Sequence, residues 1–184
     1  AGANSDCKPE FLLQFAQMGS VYMERVMGVA NPRIGLLSNG SEDTKGTHLV
    51  QDAHKLLRHS GLNFIGNIEG QEISRHTADV IVTDGFTGNI VVKVSEGFNE
   101  MVFDRVKEAA SSAIHLGIAA SILKPTFQSI AKTLDYTEHG GAVLLGTKGN
   151  VIIAHGRSEA KAIKNAISAA RRAIEQGLPE ALEI

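Results

Sequence analysis

Residues 78–89 read Ala-Asp-Val-Ile-Val-Thr-Asp-Gly-Phe-Thr-Gly-Asn and pass from a strand pattern through a glycine-rich turn into a helix pattern. Residues 79–82 are a short, largely β-branched run closed by Thr83, Asp84 and Gly85. Such a run suits a strand buried on both faces of a parallel sheet. Gly85 and Gly88 let the backbone turn sharply and come close to a ligand. Thr87 or Asn89 is expected to cap the helix that follows through Val91, Val94 and Phe98. A helix start facing an open turn offers unpaired N–H groups and a partial positive charge, which draw phosphate or carboxylate. An ordinary strand–helix turn, with glycines serving geometry alone, has the same sequence, so both readings stand on these residues.

The chain before this stretch sets the sheet around it. Gly2 to Asp6 are turn residues. Pro9 fits the first turn of a helix whose Phe11, Phe15, Met18, Tyr22 and Val26 recur at helical spacing to about Gly28, with Gly19 and Ser20 allowing close packing. Asn31-Pro32 breaks it. Residues 33–38 form the next strand and run into a polar loop over 39–46. A helix with Leu49, Ala53, Leu56 and Leu57 on its apolar face ends at Gly61, and a short strand at 63–66 and a brief turn or helix at 69–76 follow. Strands alternating with helices predict an α/β fold with a mostly parallel sheet, where ligands bind beyond the carboxyl ends of the strands. The loops at 39–46 and 84–89 both follow strands and should open on one edge. Lys45 is the only cation of the first loop. On the residues alone it is either a ligand-binding charge or a solvated loop lysine.

Composition narrows the function classes. At 184 residues the chain fits one domain or two small ones, and 43% hydrophobic with 21% charged residues is ordinary for a globular protein. A net charge of −2, with no basic stripe interleaved with aromatics, gives no sign of a nucleic-acid partner. The single cysteine, Cys7, excludes an intramolecular disulfide and a Cys-rich metal site, and it reads as a packed or surface thiol. No metal-ligand spacing and no repeat occur. No signal peptide is evident and no apolar run nears the roughly 18 residues of a membrane span, so a cytoplasmic setting is the default expectation. The sequence opens mid-pattern without an initiator methionine, and a piece of a longer chain is expected.

After 91–111, which continues the helical pattern, residues 112–123 are rich in Ile, Leu and Ala, Lys124-Pro125 interrupts, and Phe127, Ile130, Ala131 and Leu134 form a second short amphipathic piece. Two such helices can be a buried hairpin, a dimer contact or a membrane-surface contact; on the residues alone, core or dimer packing is favoured over lipid. Short strands at 142–145 and 151–154 flank a tight connection. A final helix carries Ile163, Ala166, Ile167, Ala170 and Ile174 on one face and is closed by Gly177 and Pro179, while Lys164, Arg171 and Arg172 read as a solvated face. His139 and His155 read as turn or core-edge histidines.

Several motifs occur together in order: Gly2-Ala3-Asn4, residues 14–22, residues 31–37, Glu42-Asp43-Thr44-Lys45-Gly46, residues 63–66, residues 84–89, residues 140–146 and Ala154-His155-Gly156. Each alone is weak. The ordered set resembles the phosphate acyltransferase family of bacterial phospholipid synthesis over nearly the whole chain, as the C-terminal half of such an enzyme. The chain departs from the family pattern at Ser38-Asn39-Gly40-Ser41, where the family has Asn-(Ile/Val)-Gly-Glu/Thr.

The resemblance implies a three-layer α/β sandwich similar to the isocitrate/isopropylmalate dehydrogenase group, a homodimer with its site near the interface, and no metal or organic cofactor. It implies conversion of acyl-[acyl carrier protein] and inorganic phosphate to acyl-phosphate and free acyl carrier protein. It also implies peripheral contact with the inner face of the cell membrane through a helical hairpin at about 112–134, with Ile118, Ile122 and Leu123 as contact residues, and so reverses the ranking made on the residues alone. In that setting Lys45, Asp84 and Asn89 are the expected catalytic residues, and Asn4, Gly46, Gly85, Thr87, Gly88 and His155 the expected substrate contacts. Lys45 would offset the charge of phosphate or the developing oxyanion, the N–H groups at 85–89 would cradle it, and Asp84, itself anionic, would orient Lys45 or the pantetheine arm. Two other readings remain open: a phosphotransacetylase-like enzyme acting on acyl-CoA, and an interaction piece with no activity of its own.

Overall fold

A computed structural model describes residues 3–112 and 140–182, which divide into two compact units. The first comprises residues 1–89, 145–151 and 171–184 and the second residues 90–144 and 152–170, of which the described part is considered. The expected hairpin, with Ile118, Ile122 and Leu123, lies outside the described residues.

In the first unit, helix α1 (Pro9–Arg25) is followed by strand β1 (Ile34–Leu37), helix α2 (His48–Arg58), strand β2 (Phe64–Ile68), a 3₁₀ turn (Gly70–Arg75) and strand β3 (Val80–Val82). The sheet is wholly parallel in the order β2-β1-β3. All four residues of β1 are buried, as a central strand covered on both faces requires. Leu12 and Ala16 of α1, Ile34 and Leu36 of β1, Ala53 and Leu57 of α2, and Val82 of β3 form one core. The fully buried line of α1 is therefore Leu12, Ala16 and Ser20, one residue off the aromatic row at Phe11 and Phe15. Small side chains let the helix sit close to the sheet, and the larger rings flank the contact.

Arg33 and Asp79 tie the starts of β1 and β3. The guanidinium meets both carboxylate oxygens, Nε to Oδ2 at 3.0 Å and Nη2 to Oδ1 at 2.9 Å, and the Arg33 backbone N–H donates to Oδ2 at 2.8 Å. The paired guanidinium and this backbone bond hold the Asp79 carboxyl at about 2, below its ordinary 3.8. A depressed folded-state value stabilises the protein above the unfolded value near 4 and is lost as the pH falls towards 2. The urea midpoint of Asp79→Asn should therefore lie below that of wild type at pH 6, and the gap should close between about pH 4 and pH 2. A gap independent of pH would remove the ion pair as its cause.

Helix α3 (Gly85–Ser112) begins in the first unit directly after β3. In the second unit β4 (Ala142–Val143) pairs antiparallel with β5 (Ile152–Ile153), two residues each where longer strands were expected. Helix α4 (Ala160–Glu175) buries Ala162 and Ala166, while Ile163 and Ile167 stay exposed. Its isoleucine row is thus not the buried side. Ile90, Val94, Phe98 and Met101 on α3 are exposed as well. The chain re-enters the first unit at Arg171, within α4, and the short helix α5 (Leu178–Ala181) there contacts α1. Among the described residues no helix is long and apolar enough to cross a membrane.

Candidate functional site

β1 and β3 are parallel neighbours, with Leu36 opposite Val82. The chain leaves β1 into the loop at 39–46 and leaves β3 into the turn at Thr83-Asp84, so the two glycine-containing segments depart from adjacent strand ends, about 5 Å apart in a sheet. Lys45 and Gly46 lie on the first of these segments, and Asp84, Gly85, Thr87, Gly88 and Asn89 lie on or just after the second.

The turn into α3 is held from within. Asp84 precedes the helix; its Oδ1 accepts the Thr87 N–H at 2.8 Å and its Oδ2 accepts the Thr87 hydroxyl at 2.7 Å. Asp84 is thus the capping residue, where Thr87 or Asn89 was expected, because α3 starts at Gly85 and both lie inside its first turns. The Gly85 N–H donates to the Asn4 carbonyl at 2.7 Å and the Gly88 N–H to the Asp84 carbonyl at 2.9 Å. Three of the N–H groups expected to form an anion cradle, those of Gly85, Thr87 and Gly88, are therefore already bonded inside the protein. The side chain of Asn89 is exposed.

Asn4 and Gly85 are brought together, as their shared bond shows. The Asn4 carbonyl also accepts from the Cys7 thiol at 3.2 Å. Asn4 lines a cavity of about 360 Å³ together with Gln14, Phe15, Met18, Leu145 and Leu182. The cavity presents amide side chains beside apolar ones.

The loop at 39–46 is pinned at several points. Asn39 Oδ1 accepts the Gly46 N–H at 2.9 Å, and Gln51 donates to the carbonyls of Thr44 at 2.9 Å and Gly46 at 3.1 Å. Gly46 therefore has both its backbone polar groups engaged. Asn67 donates to the Glu42 carbonyl at 2.8 Å, and Arg58 meets Asp43 at 2.8 Å. Lys45 stands out of this frame, its side chain half-exposed and its ammonium 3.9 Å from the Glu42 carboxylate. At that separation and exposure the pair is weak, so the ammonium stays available. The Ser38 hydroxyl oxygen, at the end of β1, is buried with no hydrogen-bond partner among the described residues.

His155 belongs to the second unit. Its Nδ1 accepts the Arg157 N–H at 3.2 Å and its carbonyl accepts the Ser158 N–H at 2.9 Å, a turn-type arrangement. The Glu96 carboxyl is held below its ordinary range mainly by Lys93, with His155 and Arg157 adding to the effect.

Sequence reasoning missed Gln51, His54, Asn67 and Arg58, which hold the loop, and marked Asn39 only as a departure from the family pattern without giving it this role. One signal was present, a histidine beside the apolar face of a helix, which is unfavourable unless paired; Asn67 lies just past the strand expected at 63–66 and gave none.

Comparison with known proteins agrees with the motif order. The family model described as fatty acid synthesis protein matches residues 1–181. A phosphate acyltransferase of Dehalococcoides mccartyi is 53% identical over 180 residues, which is 97% of this chain and 52% of that protein. Those of Dictyoglomus turgidum and Heliobacterium modesticaldum are 51% and 48% identical, over 95% and 99% of this chain and 52% and 54% of theirs. The chain spans about half the length of the curated relatives it matches. With two pinned loops on adjacent parallel strands and this match along its length, the chain belongs to the fatty acid synthesis protein family and is similar to proteins named phosphate acyltransferase across about half of their sequence.

Proposed function

We propose that the chain is the C-terminal half of a phosphate acyltransferase that converts acyl-[acyl carrier protein] and inorganic phosphate to acyl-phosphate and free acyl carrier protein, feeding phospholipid synthesis. The observation that carries this reading is the loop at 39–46 beside the turn at 84–89, with an available ammonium on one and an exposed amide on the other, in a chain of this family. Phosphate is anionic at neutral pH and can attack a thioester carbonyl without a strong base. The protein has to hold it in line, offset its charge and stabilise the tetrahedral oxyanion. Lys45 supplies the charge and Asn89 a neutral donor. Asp84 acts through Thr87, keeping the start of α3 in place, and Gly85 and Gly88 let the turn close. The cavity beside Asn4, with amide and apolar walls, suits the amide-bearing pantetheine arm.

The remaining implications stand as proposals of the same reading. The fold joins the isocitrate/isopropylmalate dehydrogenase-like three-layer group. The protein works as a homodimer in the cytoplasm, and the exposed apolar row on α3 supports burial against a second copy. Residues 112–134 touch the membrane surface, which vesicle flotation with Ile118 and Ile122 changed to Asp would test. The reaction itself is tested by supplying the native-length protein with phosphate and either acyl-[acyl carrier protein] or acyl-CoA. Acyl-phosphate should form at least about tenfold faster from the carrier-protein thioester, about 1.4 kcal/mol in favour of that donor. Faster turnover of acyl-CoA would make it a phosphotransacetylase-like enzyme, and turnover of neither would leave an interaction piece.

A further inference from the structure

The proposed chemistry leaves one buried polar pair of the first unit unused. Asn67 on β2 and His54 on α2 are 6% and 4% exposed, and His54 Nδ1 lies 3.0 Å from Asn67 Oδ1. The Asn67 amide nitrogen donates to the Glu42 carbonyl at 2.8 Å. A carbonyl only accepts, so this bond decides which end of the amide is nitrogen. Oδ1 then accepts from the Nδ1–H of His54. Nε2 lies 3.4 Å from the Asp43 carboxylate and makes no hydrogen bond. Asp43 is held by Arg58 instead, and the His54 ring stands edge-on to Phe64 at 5.0 Å.

Burying an amide and an imidazole is costly unless both are paired, and an apolar pair of the same shape would pack here without that cost. What the polar pair adds is the bond that leaves it. That bond runs from the sheet to the middle of the loop at 39–46, three residues before Lys45. The other ties described come from the loop itself, through Asn39, or from α2, through Gln51 and Arg58.

We infer that Asn67, oriented by His54, is a positioning residue that fixes the loop at 39–46 to the sheet and so presents Lys45 in one place to phosphate. This rests on the reading that Lys45 serves phosphate. Asn67→Asp in the native-length protein keeps an acceptor facing His54 and puts a carboxylate oxygen where the N–H reached Glu42, so that the bond becomes a repulsion between two acceptors. Tryptic cleavage after Lys45, followed by mass spectrometry, should quicken at least about tenfold while other sites keep their rates. The KM for phosphate should rise at least about tenfold, with the KM for the acyl donor unchanged within twofold. A merely structural role would lower the folded fraction instead, reducing kcat and exposing every tryptic site while leaving both KM values alone. Unchanged cleavage after Lys45, or an unchanged phosphate KM, overturns the inference. Lys45→Ala assayed beside it separates the two ideas: a silent Lys45→Ala sinks the role of Lys45, and the cleavage rate still reports whether Asn67 holds the loop. Should Asn67→Asp not fold, His54→Gln, whose amide N–H can reach Asn67 Oδ1, should retain the slow cleavage and low KM that His54→Leu loses.

Discussion

Lys45→Ala is expected to slow acyl-phosphate formation by about 100-fold or more, close to 2.7 kcal/mol of transition-state stabilisation. In the proposed reaction two negative charges have to share a small space: the attacking phosphate and the oxyanion that develops on the thioester carbonyl. A unit charge about 4 Å away contributes on the order of 4 kcal/mol at the effective dielectric of a protein surface, and removing one preorganised donor to an oxyanion costs enzymes about 3 to 4 kcal/mol. The half-exposed position of Lys45 lowers the first figure, and so the expectation lies at the lower end. Because the loop frame is made without the Lys45 side chain, through Asn39, Gln51, Asn67 and Arg58, thermal stability should hardly change. The loss should therefore appear in kcat/KM for phosphate with the melting temperature kept. Lys45→Arg, which keeps the charge on a broader head, should retain part of the rate. A loss smaller than about tenfold would take the charge role away from Lys45.

Gly85→Ala should destabilise the first unit by about 2 to 4 kcal/mol, combining overpacking with a lost hydrogen bond. A Cβ on Gly85 would lie 2.5 Å from the Asn4 carbonyl oxygen, 2.7 Å from its carbon and 2.8 Å from the Asn4 nitrogen. All three are backbone atoms, so no side-chain rotation relieves the clash. Either the segment at Asn4 or the start of α3 has to move, and the 2.7 Å bond from the Gly85 N–H to the Asn4 carbonyl goes with it. A domain of this size loses about 2 to 4 °C of melting temperature per kcal/mol, so calorimetry should show a drop of roughly 5 to 15 °C. Gly97, on the same helix, has nothing within 4 Å of a would-be Cβ. Gly97→Ala should raise stability by up to about 1 kcal/mol through helix propensity, and it controls for the substitution itself. An equal response at both positions would mean that the close approach of Asn4 and Gly85 is not what glycine serves.

Much of the first unit was legible in the sequence because periodicity reports burial directly. The β-branched runs at 34–37 and 80–82 and the helical spacing in α1 and α2 follow from which side chains must leave water. The parallel order and the shared edge of the two loops follow in turn, since strands joined through helices run the same way. The motif order carried the family as well. The exact face of α1 was not legible, because small residues and aromatics alternate there and only packing against β3 decides which row goes inside. The isoleucines of α4 mislead for a similar reason: a regular apolar row says that a face is suited to burial, and whether the described chain buries it depends on what stands opposite.

The site divides along the same line. Residue types alone marked Lys45, Asp84, Thr87 and Asn89 as polar groups on glycine-containing turns, because turn chemistry is local. Which of their hydrogen bonds remain open is a tertiary matter. Asp84 was read as an orienting partner for Lys45 or the pantetheine arm, yet its carboxylate caps α3 through Thr87, and the Gly85 N–H was read as part of an anion cradle, yet Asn4 takes it. Asn67 and His54 could not be linked to Lys45 from the sequence, since the bond that connects them to the loop spans 25 residues and exists only once β2 lies beside β1. Local sequence determined where the chain turns and which groups it carries there; the parallel stacking of three strands decided which of those groups are spent on holding the fold and which are left exposed.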